Sequence, residues 1–135
     1  MHHPTLNWAA ILVAAFFTFL MGYLWYSPRF FGKAWMEEIG FKKEDSKRPD
    51  LTKVLTLFFI FSLIMSFNLA LFLTELGAGW HRGALYGFHV GFGWVAMSIF
   101  ITGQFEQRST RYMVIHGGYY TFCFMIMGAI LGGWR

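Results

Sequence analysis

Four long apolar stretches leave this chain few ways to fold. They run over residues 6–26, 54–76, 83–102 and 112–131, each about 20 residues and so about 30 Å long as a helix, the thickness of a bilayer's hydrocarbon core. Each is apolar nearly all round, whereas a helix of a soluble bundle keeps one polar face. Only 13% of the residues are charged, about half the share of a soluble domain. The expected fold is an all-α membrane protein: four transmembrane helices in two antiparallel hairpins plus one amphipathic interfacial helix, a single domain over residues 1–135. The first stretch is too long for the apolar core of a secretory signal and has no Lys or Arg before it, so it is expected to remain as a span.

The boundary between the first span and the interfacial helix lies in Gly22-Tyr-Leu-Trp-Tyr-Ser-Pro-Arg-Phe-Phe-Gly-Lys-Ala-Trp-Met36. Trp25 and Tyr26 end the span with rings suited to the headgroup layer. Ser27-Pro28 then reads as an N-cap followed by a proline at the first helical position. Phe31, Trp35 and Ile39 recur at helical spacing, and Gly40 stands where a C′ glycine belongs, which predicts an interfacial helix over about 28–39. Residues 41–49 read as a solvated loop, with Asp50 as the cap of the second span. The glycine-rich connection 77–83 and the connection around 103–111, capped by Ser109 or Thr110, close the two hairpins.

Basic residues orient the spans. The first connection and its flanks hold Arg29, Lys33, Lys42, Lys43, Lys47, Arg48 and Lys53, and the third holds Arg108 and Arg111; the opposite side has Arg82 and Arg135. Excess positive charge in short loops stays in the cytoplasm. The first and third loops are therefore expected in the cytoplasm and both termini outside, in a bacterial inner membrane. The net charge of +4 then implies attraction to anionic lipids of the inner leaflet, and no nucleic acid partner.

Every span carries small residues four apart: Ala10, Ala14, Thr18 and Gly22; Ser62, Ser66, Ala70 and Thr74; Gly83, Gly87 and Gly91; Gly128 and Gly132. Such stripes let helices approach closely where lipid offers no hydrophobic drive for association. Polar groups inside the spans are few. Asn68 and Glu75 are seven apart, as are Arg82 and His89, and each pair is turned about half a circle from its helix's small-residue stripe. In the hairpin these pairs would form two rungs, Glu75 with Arg82 at the outer surface and Asn68 with His89 about 10 Å deeper. They would serve as a packing ladder within the hairpin, a subunit interface, or a polar pathway for an ion or solute. His116, with Tyr112 and Tyr120 on neighbouring positions, forms a second polar cluster near the cytoplasmic face.

No catalytic constellation is present: there is no His-Glu-x-x-His, phosphate loop or nucleophile elbow. Cys123 lies alone inside the fourth span. His89 and His116 differ in depth by about 15 Å, too far for two axial ligands of one haem. His2, His3 and His81 are weak candidates for a metal at the outer face and lack a tight spacing motif. The expectation is no enzyme activity, cofactor or bound metal.

The Gly22 to Met36 stretch resembles the bacterial family known as domain of unknown function 1761 (DUF1761). Gly91-Phe92, Gln104-Phe-Glu-Gln-Arg108, Gly118-Tyr119 and Gly128-Ala-Ile-Leu131 are similar to its third and fourth spans. The resemblance implies a small four-span integral membrane protein and carries over no activity, cofactor or catalytic residue. The first expectation for function is a homo-oligomer that self-associates through small-residue faces. A small transporter or channel-like protein is the alternative, and a metal-handling or accessory subunit of a membrane complex a further one.

Overall fold

A computed structural model describes residues 5–40 and 50–134. Among them there are helices and no strands: α1 (Trp8–Trp25), α2 (Gly32–Glu38), α3 (Leu51–Leu76), α4 (Trp80–Val90), a π-helical segment (Gly91–Ala96), α5 (Met97–Phe105) and α6 (Thr110–Gly133). The segment from Trp80 to Phe105 is one continuous helix with the π turns at its centre, which gives four helices long and apolar enough to cross a membrane. Lys42, Lys43, Lys47, Arg48, His2, His3 and Arg135 lie outside the described residues.

Local chemistry explains the helix ends. The Asn7 carboxamide oxygen accepts the Ala10 N–H at 3.1 Å, Asp50 accepts from Thr52 at 3.1 Å, and the Ser109 hydroxyl accepts from Tyr112 at 3.0 Å. Each satisfies an N–H that the first turn leaves without a partner. Gly77 ends α3 with φ +61°, and the Ala78 N–H reaches back to the Leu73 carbonyl at 3.2 Å. That left-handed cap suits glycine.

The interfacial helix starts later and is shorter than the sequence predicts. Ser27 does not cap it: its hydroxyl donates back to the Leu24 carbonyl at 2.6 Å, and its own carbonyl accepts the N–H groups of Phe30 and Gly32 at 3.1 and 2.9 Å. The proline is absorbed by this turn, and α2 begins only at Gly32. A Cβ at Gly32 would run into the backbone of Tyr26 and Ser27. The glycine is what allows the chain to fold back onto the end of α1.

The centre of the bundle is α6, which packs most closely on α4 and the π segment and also touches α1, α3, α5 and α2. Its seam with the third span is made of small residues. A Cβ on Gly83 would meet the Gly128 carbonyl, one on Gly87 the Phe124 carbonyl, and one on Gly128 the Gly83 carbonyl. A Cβ on Gly91 would lie 2.7 Å from the Thr121 Cα. The two backbones therefore touch, at a separation that any side chain would prevent.

The remaining stripes are also occupied within one copy of the chain. Ala10, Ala14, Thr18 and Gly22 of α1 are buried, as are Ser62, Ser66 and Ala70 of α3. Buried side-chain donors reach backbone carbonyls across the interfaces: Ser66 to Ile11 at 2.9 Å, and Tyr119 to Thr18 at 2.7 Å. By contrast α3 and α4, joined by the tight turn at Gly77, barely touch. The hairpin the turn creates is splayed, and α3 packs on α1 instead.

Gly83→Ala is expected to destabilise the bundle by about 1–3 kcal/mol or more, because neither backbone can yield to the new methyl. Gly93→Ala, with open space around its Cβ, should be neutral. Thermal unfolding in detergent checks the pair, and equal melting temperatures would show that the seam is not close-packed.

Candidate functional site

Two polar regions stand out from the apolar bulk, at different depths and on different faces. The first holds Asn68, Glu75, Arg82 and His89, all exposed. The small-residue stripes of α3 and α4 face inward, so residues half a turn away face outward. Asn68 is eight residues from the end of α3 and His89 nine from the start of α4, which places both about 12–14 Å from the turn, near mid-membrane. No hydrogen bond or ion pair links the four among the described residues. Asn68 donates to the Ile64 carbonyl of its own helix at 2.7 Å, and Arg82 to the Tyr86 hydroxyl at 2.8 Å. The splaying of α3 from α4 is why the expected rungs are not formed within one copy.

Between the two helices lies a groove of about 410 Å³, lined by Leu69, Phe72, Leu73, Leu76, Tyr86, His89, Val90, Gly93 and Trp94. Its lining is mostly apolar, with His89, Tyr86 and Trp94 as the side chains that carry a polar group. Phe72 and Trp94 at its edges are 63% and 68% exposed.

The second region surrounds His116. Tyr26, 90 positions away in sequence, brings its hydroxyl to 2.7 Å from the imidazole Nδ1. Tyr112 lies edge-on to the same ring at 4.4 Å between centroids. The predicted neighbour Tyr120 packs edge-on to Tyr119 and lines a cavity with His116 and Tyr112. That cavity measures about 330 Å³, and Ser98, Ile99, Thr102, Gly103 and Glu106 complete its wall. Nε2 of His116 is buried and has no hydrogen-bond partner among the described residues. An orphaned buried polar group costs roughly 1–3 kcal/mol.

Proton positions follow from satisfying the pair. The Tyr26 phenol, neutral at pH 7 by its ordinary range, has no acceptor for its hydrogen among the described residues other than Nδ1. With Nδ1 accepting, a neutral imidazole carries its proton on Nε2. Nε2–H is then a buried donor without an acceptor among the described residues.

Sequence reasoning placed His116 with Tyr112 and Tyr120 but missed Tyr26, because a pairing across 90 residues leaves no local trace. It also missed the π segment. A signal for that was present: the small residues that face α6 run Gly83, Gly87, Gly91, then Ala96 and Gly103, and the five-residue step from 91 to 96 marks one extra residue in a turn.

The family described as "Protein of unknown function (DUF1761)" matches residues 9–132. The chain belongs to that family. No curated protein and no solved structure matches it. The DUF1761 match includes both polar regions and the whole Gly22 to Met36 stretch, whose turn now has a structural reason.

Below His116 the α2 helix is clamped to the start of α6. Arg111 reaches Glu38 at 2.6 Å and Glu37 at 3.0 Å, and the Ser109 hydroxyl donates to Glu38. Trp35 of α2 packs edge-on to Tyr26 at 5.2 Å, so the clamp also holds the Tyr26 ring in place. His81 rests on Trp80, and no three His, Cys, Asp or Glu side chains cluster among the described residues.

The Ser109 hydroxyl, and then the Arg111 guanidinium, hold the Glu38 carboxyl below its usual range. A depressed folded-state value means that the clamp is fully present above the ordinary carboxylate range and is lost as pH falls through the lowered value. A spin label at Lys33→Cys is expected to gain mobility on acidification, and Arg111→Gln to show that mobility already at neutral pH. A label equally immobile in both chains would remove the clamp from the account.

Proposed function

We propose that this DUF1761 protein is a non-catalytic, multi-pass protein of a bacterial inner membrane that works as a homo-oligomer, assembled through the outer face of α3 and α4. The observation that carries this reading is the exposure of Asn68 and His89 at mid-membrane beside an open groove. Polar side chains at that depth are costly against lipid and are relieved by partners. Asn68 uses one of its two N–H donors within its own helix, which leaves the second N–H and an acceptor oxygen free for another copy.

Small-residue faces, the first expectation for self-association, are filled within the protomer and leave the α3/α4 face as the available surface. A two-fold contact there is self-complementary: Asn68 and His89 offer donors and acceptors to each other, Glu75 and Arg82 carry opposite charges, and Phe72 or Trp94 suits the partner's groove. Any route for an ion or solute is proposed to run between copies, along the face that carries Asn68, Glu75, Arg82 and His89. In this reading the basic ends of α1 and α6 face the cytoplasm and its anionic lipids, and the Trp8 and Trp134 ends face outward.

Native mass spectrometry of the protein released from lipid-retaining micelles is expected to show an oligomer. Asn68→Leu combined with His89→Leu should convert it to monomer, whereas Val13→Leu on the far surface of α1 should leave it intact. A parent chain that is monomeric at all concentrations would refute the proposal.

A further inference from the structure

We infer that the cavity beside His116 is a binding site for a neutral carbonyl group carried by a membrane-dissolved amphiphile, with Nε2–H of His116 as the donor that receives it. The site is independent of the α3/α4 face and of any assembly there.

Three observations define the ligand. First, the wall is rich in unengaged donors. Thr102, Tyr112 and Tyr120 line the cavity with His116, and no hydrogen bond engages their hydroxyls among the described residues. Such a wall offers several donors to a hydrogen-bond acceptor. Second, charge among the described residues disfavours an anion. The Glu106 carboxylate is part of the wall, and the nearby cation, Arg108, is already paired with Glu106 at 3.5 Å and lies over the Tyr112 ring at 4.9 Å. Among the described residues of the wall a phosphate or carboxylate would meet a negative charge with no unpaired cation beside it, whereas an uncharged carbonyl oxygen avoids that repulsion and can accept from the hydroxyls. Third, depth fits. His116 is six residues into α6, about 9 Å from its start, just beneath the charged end marked by Arg108, Arg111 and Glu38. Carbonyl groups of amphiphiles lie at that level, between headgroup and hydrocarbon.

Tyr26 is the positioning residue. By donating to Nδ1 at 2.7 Å it fixes both the ring orientation and the tautomer, in the way an outer partner fixes a functional histidine. Tyr112 packs edge-on against the imidazole. Nε2 is covered as the site stands, so binding requires that a small side-chain rearrangement beside the imidazole turns Nε2–H towards the cavity when the carbonyl enters. A volume of about 330 Å³ is at the small end of ligand sites and suits one ring or one ester group, with any chain left in the bilayer.

Two common sources carry such a carbonyl: the ring of a prenyl-type quinone and the ester of a glycerolipid. The full-length protein, labelled with ¹⁵N-histidine and held in a maltoside detergent that has no carbonyl, is titrated with a decyl benzoquinone or with a short-chain phosphatidylglycerol. Before addition the His116 resonances should report a neutral ring protonated at Nε2. Saturable movement of the Nε2–H signal with the quinone alone identifies a ring carbonyl, and with the phospholipid alone an ester carbonyl; either supports the site. His116→Phe and Thr102→Val should each weaken that probe about tenfold, the value of one hydrogen bond. Tyr26→Phe should shift the tautomer signal and weaken binding to a similar degree. No movement with either probe at saturation means that Nε2–H is satisfied by water or left bare, and overturns the inference. So does binding by Thr102→Val and His116→Phe that equals the parent's.

Discussion

The backbone contact between α4 and α6 is the constraint on which the rest of the molecule depends. In lipid, apolar side chains gain nothing by leaving one hydrocarbon for another, so helices must associate through close van der Waals contact and weak Cα–H···O bonds. Gly83, Gly87 and Gly128 meet the opposing carbonyls so closely that a methyl has no room. This makes α6 the centre of the bundle, with α1 and α3 added around it through buried serine and tyrosine bonds to main-chain carbonyls. Those carbonyls already serve their own helices and accept a second bond with a free lone pair. The added contacts therefore cost no helical hydrogen bond.

Because the third span gives its small face to α6, it has none left for α3. The connection from Gly77 to Gly79 makes α3 and α4 neighbours in sequence, yet α3 turns its own small face to α1. The splayed pair opens the groove and leaves Asn68 and His89 outward. One cause thus produces both the tight seam and the unsatisfied face, on opposite sides of the same helix.

Much of this was legible from sequence, for physical reasons. Span number follows from uninterrupted apolar length, and Asp50 and Ser109 were recognisable as caps because capping is a matter of two or three adjacent residues. The small-residue stripes were visible as a period of four, and their burial followed. What the stripes face is not encoded locally: nothing in Gly83 to Gly91 names α6 as the partner in place of α3 or a second copy. The same limit hid Tyr26 from His116 and hid the pairing of Glu38 with Arg111. The start of α2 was misplaced because Ser27-Pro28 has two local solutions. The tertiary demand that Gly32 sit on Tyr26 and Ser27 selects the turn over the helix.

The π segment links the seam to the cavity. A helix that continued the step of four after Gly91 would present Val95 and Ile99 to α6, side chains too large for a backbone contact. One inserted residue rotates everything beyond it by about 100°, so that Ala96 meets Gly117 and Gly103 meets Met113. The seam thereby continues through Ala96 and Gly103, with Phe100 also against Gly117, on a different register. The rotation also carries Ser98, Thr102 and Glu106 round to the side where His116 and Tyr120 emerge from α6. A straight helix could keep the close approach or the polar wall, but not both. The cavity exists where it does because the third span changes register in mid-membrane, and the Gly91-Phe92 pair that opens the π segment is where that change begins.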